Sequence, residues 1–336
     1  MARYEFASDN AAPATPEAMT ALTSANSGFA SSYGTDTVTA RAADLVREWL
    51  DADAEVRFVA SGTAANAVSL ATLCRPFEAV VAHEHAHVCT DEAGAPGFFG
   101  QGLGLIGLAG ASGKIEAAAL ETALAQPDVS YRQSPAALSL TNATEYGTVY
   151  PAAALGELTA LARTRGYGVH LDGARLANAV AAGFDPKAIA RVGVDILVVG
   201  GTKAGMPPTE AVVIFDRALT RRLDARLKQA GQLPSKARFL AAPFIGMLED
   251  GALLRHAAHA NAMAARLAAA IPFALRHPVE TNGVFVEMDD ATLARLHAAG
   301  WFAYRFLDGS VRFMCSWATT PEAVDSVVET LRSIHR

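Results

Sequence analysis

Residues 194–205 read VDILVVGGTKAG. A short run of Ile, Leu and Val closed by glycines is the pattern of a strand buried on both faces. It ends in Gly200-Gly201-Thr202-Lys203-Ala204-Gly205, so a lone lysine follows a buried strand among small residues. Lysines favour solvated faces, and burial lowers the pKa of the amine. An amine with a depressed pKa is what imine formation requires. The glycines would let the chain pass close to a flat ligand. A flexible loop with an exposed lysine fits the same letters, and this segment alone does not separate the two readings.

The surrounding sequence repeats the strand-then-helix rhythm. Short apolar strands are predicted at 55–60, 78–82, 137–142, 167–173 and 211–216, with helical runs at 62–74 and about 151–165 and after 173. Strands alternating with helices imply crossover units and a mostly parallel sheet covered on both faces. Near residue 235 the rhythm changes. A long helical region at 235–270 leads to a strand at 283–289, a helix at 291–299, a hairpin at 304–315 and a last helix at 321–334. The Asp308-Gly309 pair between apolar runs is the hairpin signal. The division drawn is an N-terminal arm with a large domain over 1–240 and a small α+β domain over 241–336.

Bulk properties narrow the class. The 336 residues are 51% hydrophobic and 18% charged, enough for a sizeable core and too apolar for global disorder. A net charge of −6 argues against a nucleic-acid partner, which needs a basic face. Three cysteines, none in a close pair, argue against a disulfide framework or zinc ribbon and for a reducing cytoplasm. The opening MARYEFASDN holds no apolar signal region, and the Ala-rich runs are too short and interrupted to span a membrane.

In open α/β sheets, ligands bind beyond the carboxyl ends of the strands, and three further junctions carry chemistry. Ser61-Gly62-Thr63 opens a helix, where free N–H groups and the dipole suit a phosphate, although a plain Ser cap explains the same residues. His170-Leu171-Asp172-Gly173-Ala174-Arg175 offers an acid able to hold a ring nitrogen protonated and a fork suited to a carboxylate or phenolic oxygen, with a helix cap and a structural ion pair as the alternative. His83-Glu84-His85-Ala86-His87 could chelate a metal, stack one imidazole on an aromatic ligand, or form a solvated loop. Two other points stand apart. Ser8-Asp9-Asn10 could fold back as an arm, and Arg312 lies in an apolar strand where it needs a ligand or a partner such as Asp308.

SGTAAN, HVCTDEAG, HLDGAR and GGTKAG occur in that order at 61, 87, 170 and 200, with FASDNAAPATPEAM at 6, SYGTDTVTAR at 32 and HANAMAARLA at 259. Together they resemble the threonine aldolase group of the β-eliminating lyase family, over nearly the whole chain, and most of all its low-specificity L-threonine and phenylserine aldolases. The resemblance implies an aspartate-aminotransferase-like fold with a mostly parallel seven-stranded sheet, pyridoxal phosphate as cofactor and no catalytic metal. It also implies amino-acid and aldehyde ligands, and a homodimer or homotetramer with shared sites.

By the same resemblance, Lys203 would be the Schiff-base lysine with Thr202 beside it near the phosphate. Ser61, Gly62 and Thr63 would form the phosphate turn, His87 would stack on the ring, and Asp172 would pair with the ring nitrogen. Arg175 would lie near the ring oxygen and the substrate carboxylate, and Ser8 and Arg312 would bind that carboxylate. Tyr33 would reach a neighbouring subunit's site, with Lys228 or Lys236 as a cross-subunit phosphate contact.

Two departures stand out. Where relatives carry a second active-site histidine, the comparable stretch here reads DVSYRQSPAALSL at 128–140, with Ser130 and Tyr131. The lysine motif is GGTKAG, which keeps the hydroxyl of the commoner Ser-Lys-Gly form. The base for the β-hydroxyl proton stays open among His87, His85, His83 and an ordered water. Another pyridoxal phosphate enzyme of this fold, a catalytically silent binder of the cofactor, and a histidine-dependent metal hydrolase are the competing readings.

Overall fold

The computed structural model describes residues 3–126 and 129–335. Its centre is a sheet of β1 (Glu55–Val59), β2 (Glu78–His83), β3 (Gly104–Leu108), β4 (Ser134–Thr141), β5 (Gly168–Gly173), β6 (Ile196–Gly200) and β7 (Glu210–Ile214). Their order is β1-β7-β6-β5-β4-β2-β3. The pairs β2–β3, β2–β4, β4–β5 and β5–β6 are parallel. β7 runs antiparallel to both β6 and β1. Every residue of β6 and β7 is buried, as the apolar runs 196–199 and 211–214 require, and the burial extends to Glu210.

The sequence reading omits β3, because glycines at 104 and 107 weaken any strand pattern. Space accounts for one of them: a Cβ on Gly107 would lie 3.0 Å from the Glu84 Cα.

The helical region 235–270 is two helices, Arg238–Leu248 and Ala252–Ala270. Gly251 separates them at φ +65°, a left-handed conformation that ends continuous helix. Ala241, Phe244 and Met247 of the first, with Leu253 and Ala257 of the second, join the larger core under the sheet. Farther along, Ala264 and Leu267 join a second core with Phe6, Val284, Phe313 and Val327. The long helix therefore passes from one core into the other.

The second core backs a small antiparallel sheet of β8 (Gly283–Val286), β9 (Tyr304–Arg305) and β10 (Val311–Met314), in the order β8-β10-β9. The hairpin expected at Asp308-Gly309 is present. Gly309 has φ +84°, and the Asp308 carboxylate accepts the Ser310 N–H at 3.0 Å. Among the described residues, no helix is long and apolar enough to cross a membrane.

Candidate active site

Sheet direction decides where the chemistry gathers. Parallel pairing puts the carboxyl ends of β2, β4, β5 and β6 on one edge. Two antiparallel pairings in series turn β1 back to the direction of β6, so its carboxyl end joins them. The ends of these strands and the segments after them carry Ser61, His87, Glu145, Asp172 and Lys203. A cavity of about 370 Å³ is lined by Ser8, His87, Glu145, Asp172, Lys203 and Arg312, among others.

Lys203 follows β6 in a single turn, Thr202–Ala204. Burial and the charge of Arg175 hold its amine below the ordinary lysine range, against the opposing pull of Asp9, Asp172 and Glu210. The glycines around it serve a different end from the one expected. A Cβ on Gly200 would lie 2.1 Å from the Ala174 carbonyl oxygen, and one on Gly201 2.4 Å from that of Thr209. They allow close packing of protein on protein. The Asp172 carboxylate, at the end of β5, accepts the Ala174 N–H and the Asn66 amide, each at 2.8 Å. Burial would push this acid up, yet the charges of Lys203 and His170 and these two hydrogen bonds hold it below the usual carboxylate range. It stays ionised although it is buried.

His87 lies on the rim of the cavity. Its Nδ1 is 2.9 Å from Glu92 Oε1, and the same oxygen accepts the Asn66 amide at 2.9 Å. Asn66 thus ties the partner of His87 to Asp172. The Glu92 hydrogen bond raises the imidazole pKa against burial. Raised pKa and fixed Nδ1 leave the ring oriented by its carboxylate partner.

Arg175 lines the cavity but is also engaged within the protein. Its Nε and Nη2 donate to the two oxygens of Asp9, at 2.7 and 2.9 Å, and the pair is buried. Asn282 donates to the same carboxylate at 3.1 Å. Two of the donors meant for a ligand carboxylate are therefore engaged by the N-terminal arm, which is pinned to the sheet edge. Burial would raise the Asp9 pKa, but Arg175 and Lys203 bring it down to about 2. Its contribution to stability is then complete above the ordinary value of 3.8 and is lost as pH falls through about 2. Asp9→Asn strands a buried guanidinium and is expected to cost about 3–5 kcal/mol. Urea denaturation would show this loss undiminished from pH 7 down to about 4 and shrinking below that.

Arg312 sits on β10 directly across from Tyr304. Its guanidinium lies 4.6 Å from the Tyr304 ring centre and 4.9 Å from that of Phe306. The Nε is buried with no hydrogen-bond partner. Burial and the charge of Arg175 bring its pKa down to about 10. Asp308, the acid offered as a structural partner, instead binds Ser310 and His277. The hairpin turns that carboxylate toward Ser310 of its own loop and toward His277.

The other expected residues are placed less directly. Ser61 acts as a helix cap, its Oγ accepting the Ala64 N–H at 3.3 Å. Ser61, Gly62 and Thr63 do not line the cavity, and a Cβ on Gly62 would meet only open space. The Thr202 hydroxyl is bound to the Thr209 backbone, accepting its N–H at 3.1 Å. Ser8 lines the cavity and accepts the Asn10 N–H at 3.2 Å. Tyr33 lies in a separate hollow with Arg57 and Asp224, and the Lys228 ammonium rests 4.7 Å from its ring centre. Both nitrogens of His83 are occupied, by the Gly110 carbonyl and the His85 N–H, and His85 Nδ1 is 2.6 Å from the Tyr146 hydroxyl. Neither histidine lines the cavity.

The profile of the β-eliminating lyase family matches residues 5–291. The chain belongs to the β-eliminating lyase family. It is 45% identical to a low specificity L-threonine aldolase of a Pseudomonas species, over 98% of this chain and 97% of that protein. It is 44% identical, with the same coverage, to one from Pseudomonas aeruginosa. A solved threonine aldolase of Leishmania major superposes with TM-score 0.93 at 30% identity, covering 99% of this chain and 100% of that one. This lyase chain also shares its fold with a Sphingomonas wittichii serine palmitoyltransferase, at TM-score 0.72 and 16% identity.

Three acids of this lyase site were not read from sequence. Asp9 was named only as part of an arm. Glu210 begins β7 and accepts the Gly201 N–H at 2.7 Å, and burial raises its pKa to about 7. Glu145 follows β4 and lines the cavity. Ser130 and Tyr131, noted in the stretch compared with relatives, precede the amino end of β4, opposite the edge where the site gathers. Ser130 lines a hollow with Phe77 and Arg165, Tyr131 is exposed, and Asp128 is outside the described residues. The signal that could have found Glu145 is topological: a polar residue just past the carboxyl end of a parallel strand.

Proposed function

We propose that this chain is a pyridoxal-phosphate-dependent carbon–carbon lyase. It cleaves L-threonine, L-allo-threonine and related β-hydroxy-α-amino acids, phenylserine among them, to glycine and an aldehyde. The observation that carries this reading is the unanswered Arg312 donor in a cavity that also holds the Lys203 amine and the Asp172 carboxylate. A buried guanidinium with a free donor suits an amino-acid carboxylate, and a depressed lysine suits an aldehyde.

The residues present fit the cofactor. Lys203 would hold it through Nζ, Asp172 would face its ring nitrogen, and His87 would cover its ring. The N–H groups of Gly62 and Thr63, at a helix start where such groups lack intrahelical partners, would face its phosphate. When bound, pyridoxal phosphate supplies a carbonyl for amines and a ring that takes up the electron pair left at Cα. Arg312 and Ser8 orient the substrate carboxylate, each charge-assisted hydrogen bond contributing about 1.5–3 kcal/mol. Asn66 keeps Asp172 ionised and aligned through its Oδ2. Arg175, clamped by Asp9, contributes positive charge beside Lys203.

The same reading includes a cytoplasmic protein, the division at 240/241 with the larger core reaching past it, and a homodimer or homotetramer. Tyr33 and Lys228, together on the surface away from the chain's own cavity, support a contribution to a neighbouring copy's site.

The family description favours one second reading, β-elimination from the same amino acids. Product analysis with purified protein and pyridoxal phosphate separates the two. Glycine with stoichiometric acetaldehyde or benzaldehyde is the expected result. Ammonia with a keto acid would replace this reading by the second.

A further inference from the structure

Among the described acids lining the cavity, Glu145 carries a buried oxygen that no hydrogen-bond donor reaches. Its Oε1 accepts the His87 backbone N–H at 2.9 Å and the Thr141 hydroxyl at 3.2 Å, which fixes the side chain from two directions. Its Oε2 is buried without a hydrogen-bond partner. The residue lines the cavity with Lys203, Asp172 and Arg312. A held carboxylate with one free, desolvated oxygen at a ligand site is built to exchange a proton with the ligand. The histidines offered for this task are less free. His83 has both nitrogens bound, His85 is held by Tyr146, and His87 has its Nδ1 against Glu92.

We propose that Glu145 is the catalytic base of the cleavage, taking the β-hydroxyl proton of the substrate on Oε2. This rests on the aldolase reading above. As the proton moves to Oε2, the O–H electron pair becomes the second bond of the aldehyde carbonyl. The Cα–Cβ bond breaks, and its pair stays with the amino-acid fragment. That fragment takes a proton from solvent at Cα to become glycine, and Glu145 returns its own proton to solvent. The titration of Glu145 suits the role. Burial and then the charge of Asp172 raise its pKa to about 6, against the His87 N–H and Thr141 hydrogen bonds. At neutral pH it is mostly ionised yet close to the pH at which it works. The groups facing it are Asp172 at the end of β5 and Arg175 just after it, His87 and Cys89 from the helix after β2, and Tyr146 and Tyr150 from its own loop.

Glu145→Gln keeps the size and the carbonyl that accepts from His87, and removes only the titrating oxygen. In the holoenzyme, aldehyde release from a β-hydroxy amino acid is expected to fall about 10²–10⁴-fold. Exchange of the glycine α-proton with deuterated solvent, which needs no hydroxyl base, is expected to stay within about tenfold of wild type. Infrared titration supplies a readout independent of turnover. A protonated-carboxyl band disappearing near pH 6 is expected in wild type and absent from the variant. Equal loss of cleavage and exchange, unchanged cleavage, or no difference in the infrared band would each overturn the proposal. A wild-type protein that yields no glycine would instead bring down the aldolase reading beneath it.

Discussion

Lys203→Ala is expected to abolish the visible absorption of the cofactor-loaded protein and to cut glycine release on the order of 10⁴-fold or more, as removal of a covalent catalyst does. The size of the effect follows from where the amine sits. It stands at the carboxyl end of a fully buried strand, in a turn held between β6 and β7 by close glycine packing. Among the described residues, no other lysine lines the cavity. Burial and Arg175 lower the pKa of the amine, which favours the uncharged form that attacks a carbonyl. The variant should fold as well as its parent, because removing a buried amine relieves a desolvation cost while Asp172 keeps its hydrogen bonds from Asn66 and the Ala174 N–H. A spectrum taken before and after addition of glycine would check it. Full turnover by the alanine variant would remove Lys203 from the chemistry.

Much of this architecture was legible before any coordinates. Apolar strands alternating with Ala-rich helices give a crossover sheet, and residues at strand ends then converge without any tertiary information beyond strand direction. The segments carrying Lys203, Asp172 and the histidines after β2 were singled out this way, each at the end of an apolar run, while the choice of His87 among the histidines came from the family resemblance. β3 was not, because its glycines answer to Glu84 and Gln133 across the edge, contacts no local pattern encodes.

The electrostatic pairs were the hidden part. Arg175 finds Asp9 across 166 positions of sequence, so its offered role in binding a carboxylate could not be weighed against a partner that spacing does not reveal. Glu145 sits in a loop with no periodicity, and its importance comes from what fails to reach it. The Arg312–Asp308 pair looked natural at a separation of four residues, but the tight turn through Asp308 and Gly309 points the acid at Ser310 and His277 instead. In each case, local geometry or distant folding overrode proximity in sequence.

Arg312→Met brings stability and function into opposition. Arg312 is 8% exposed, and among the described residues its Nε meets no acceptor. What holds it are the faces of Tyr304 and Phe306, at 4.6 and 4.9 Å. Such cation–π contacts contribute about 0.5–2 kcal/mol each when desolvated, whereas burying an ion with an unmet donor costs several kcal/mol. The downward shift of its pKa to about 10 gives the same sign: the protein environment disfavours the charge. Methionine retains the length and apolar contact with both rings. The ligand-free variant is therefore expected to unfold at a temperature no lower than wild type, and by this balance higher. Its kcat/KM is expected to fall roughly 10²–10³-fold, the loss of charge-assisted hydrogen bonds to a substrate carboxylate. Calorimetry beside steady-state kinetics would read both. A variant that loses stability and keeps activity would make Arg312 a structural residue and leave the carboxylate without its proposed anchor.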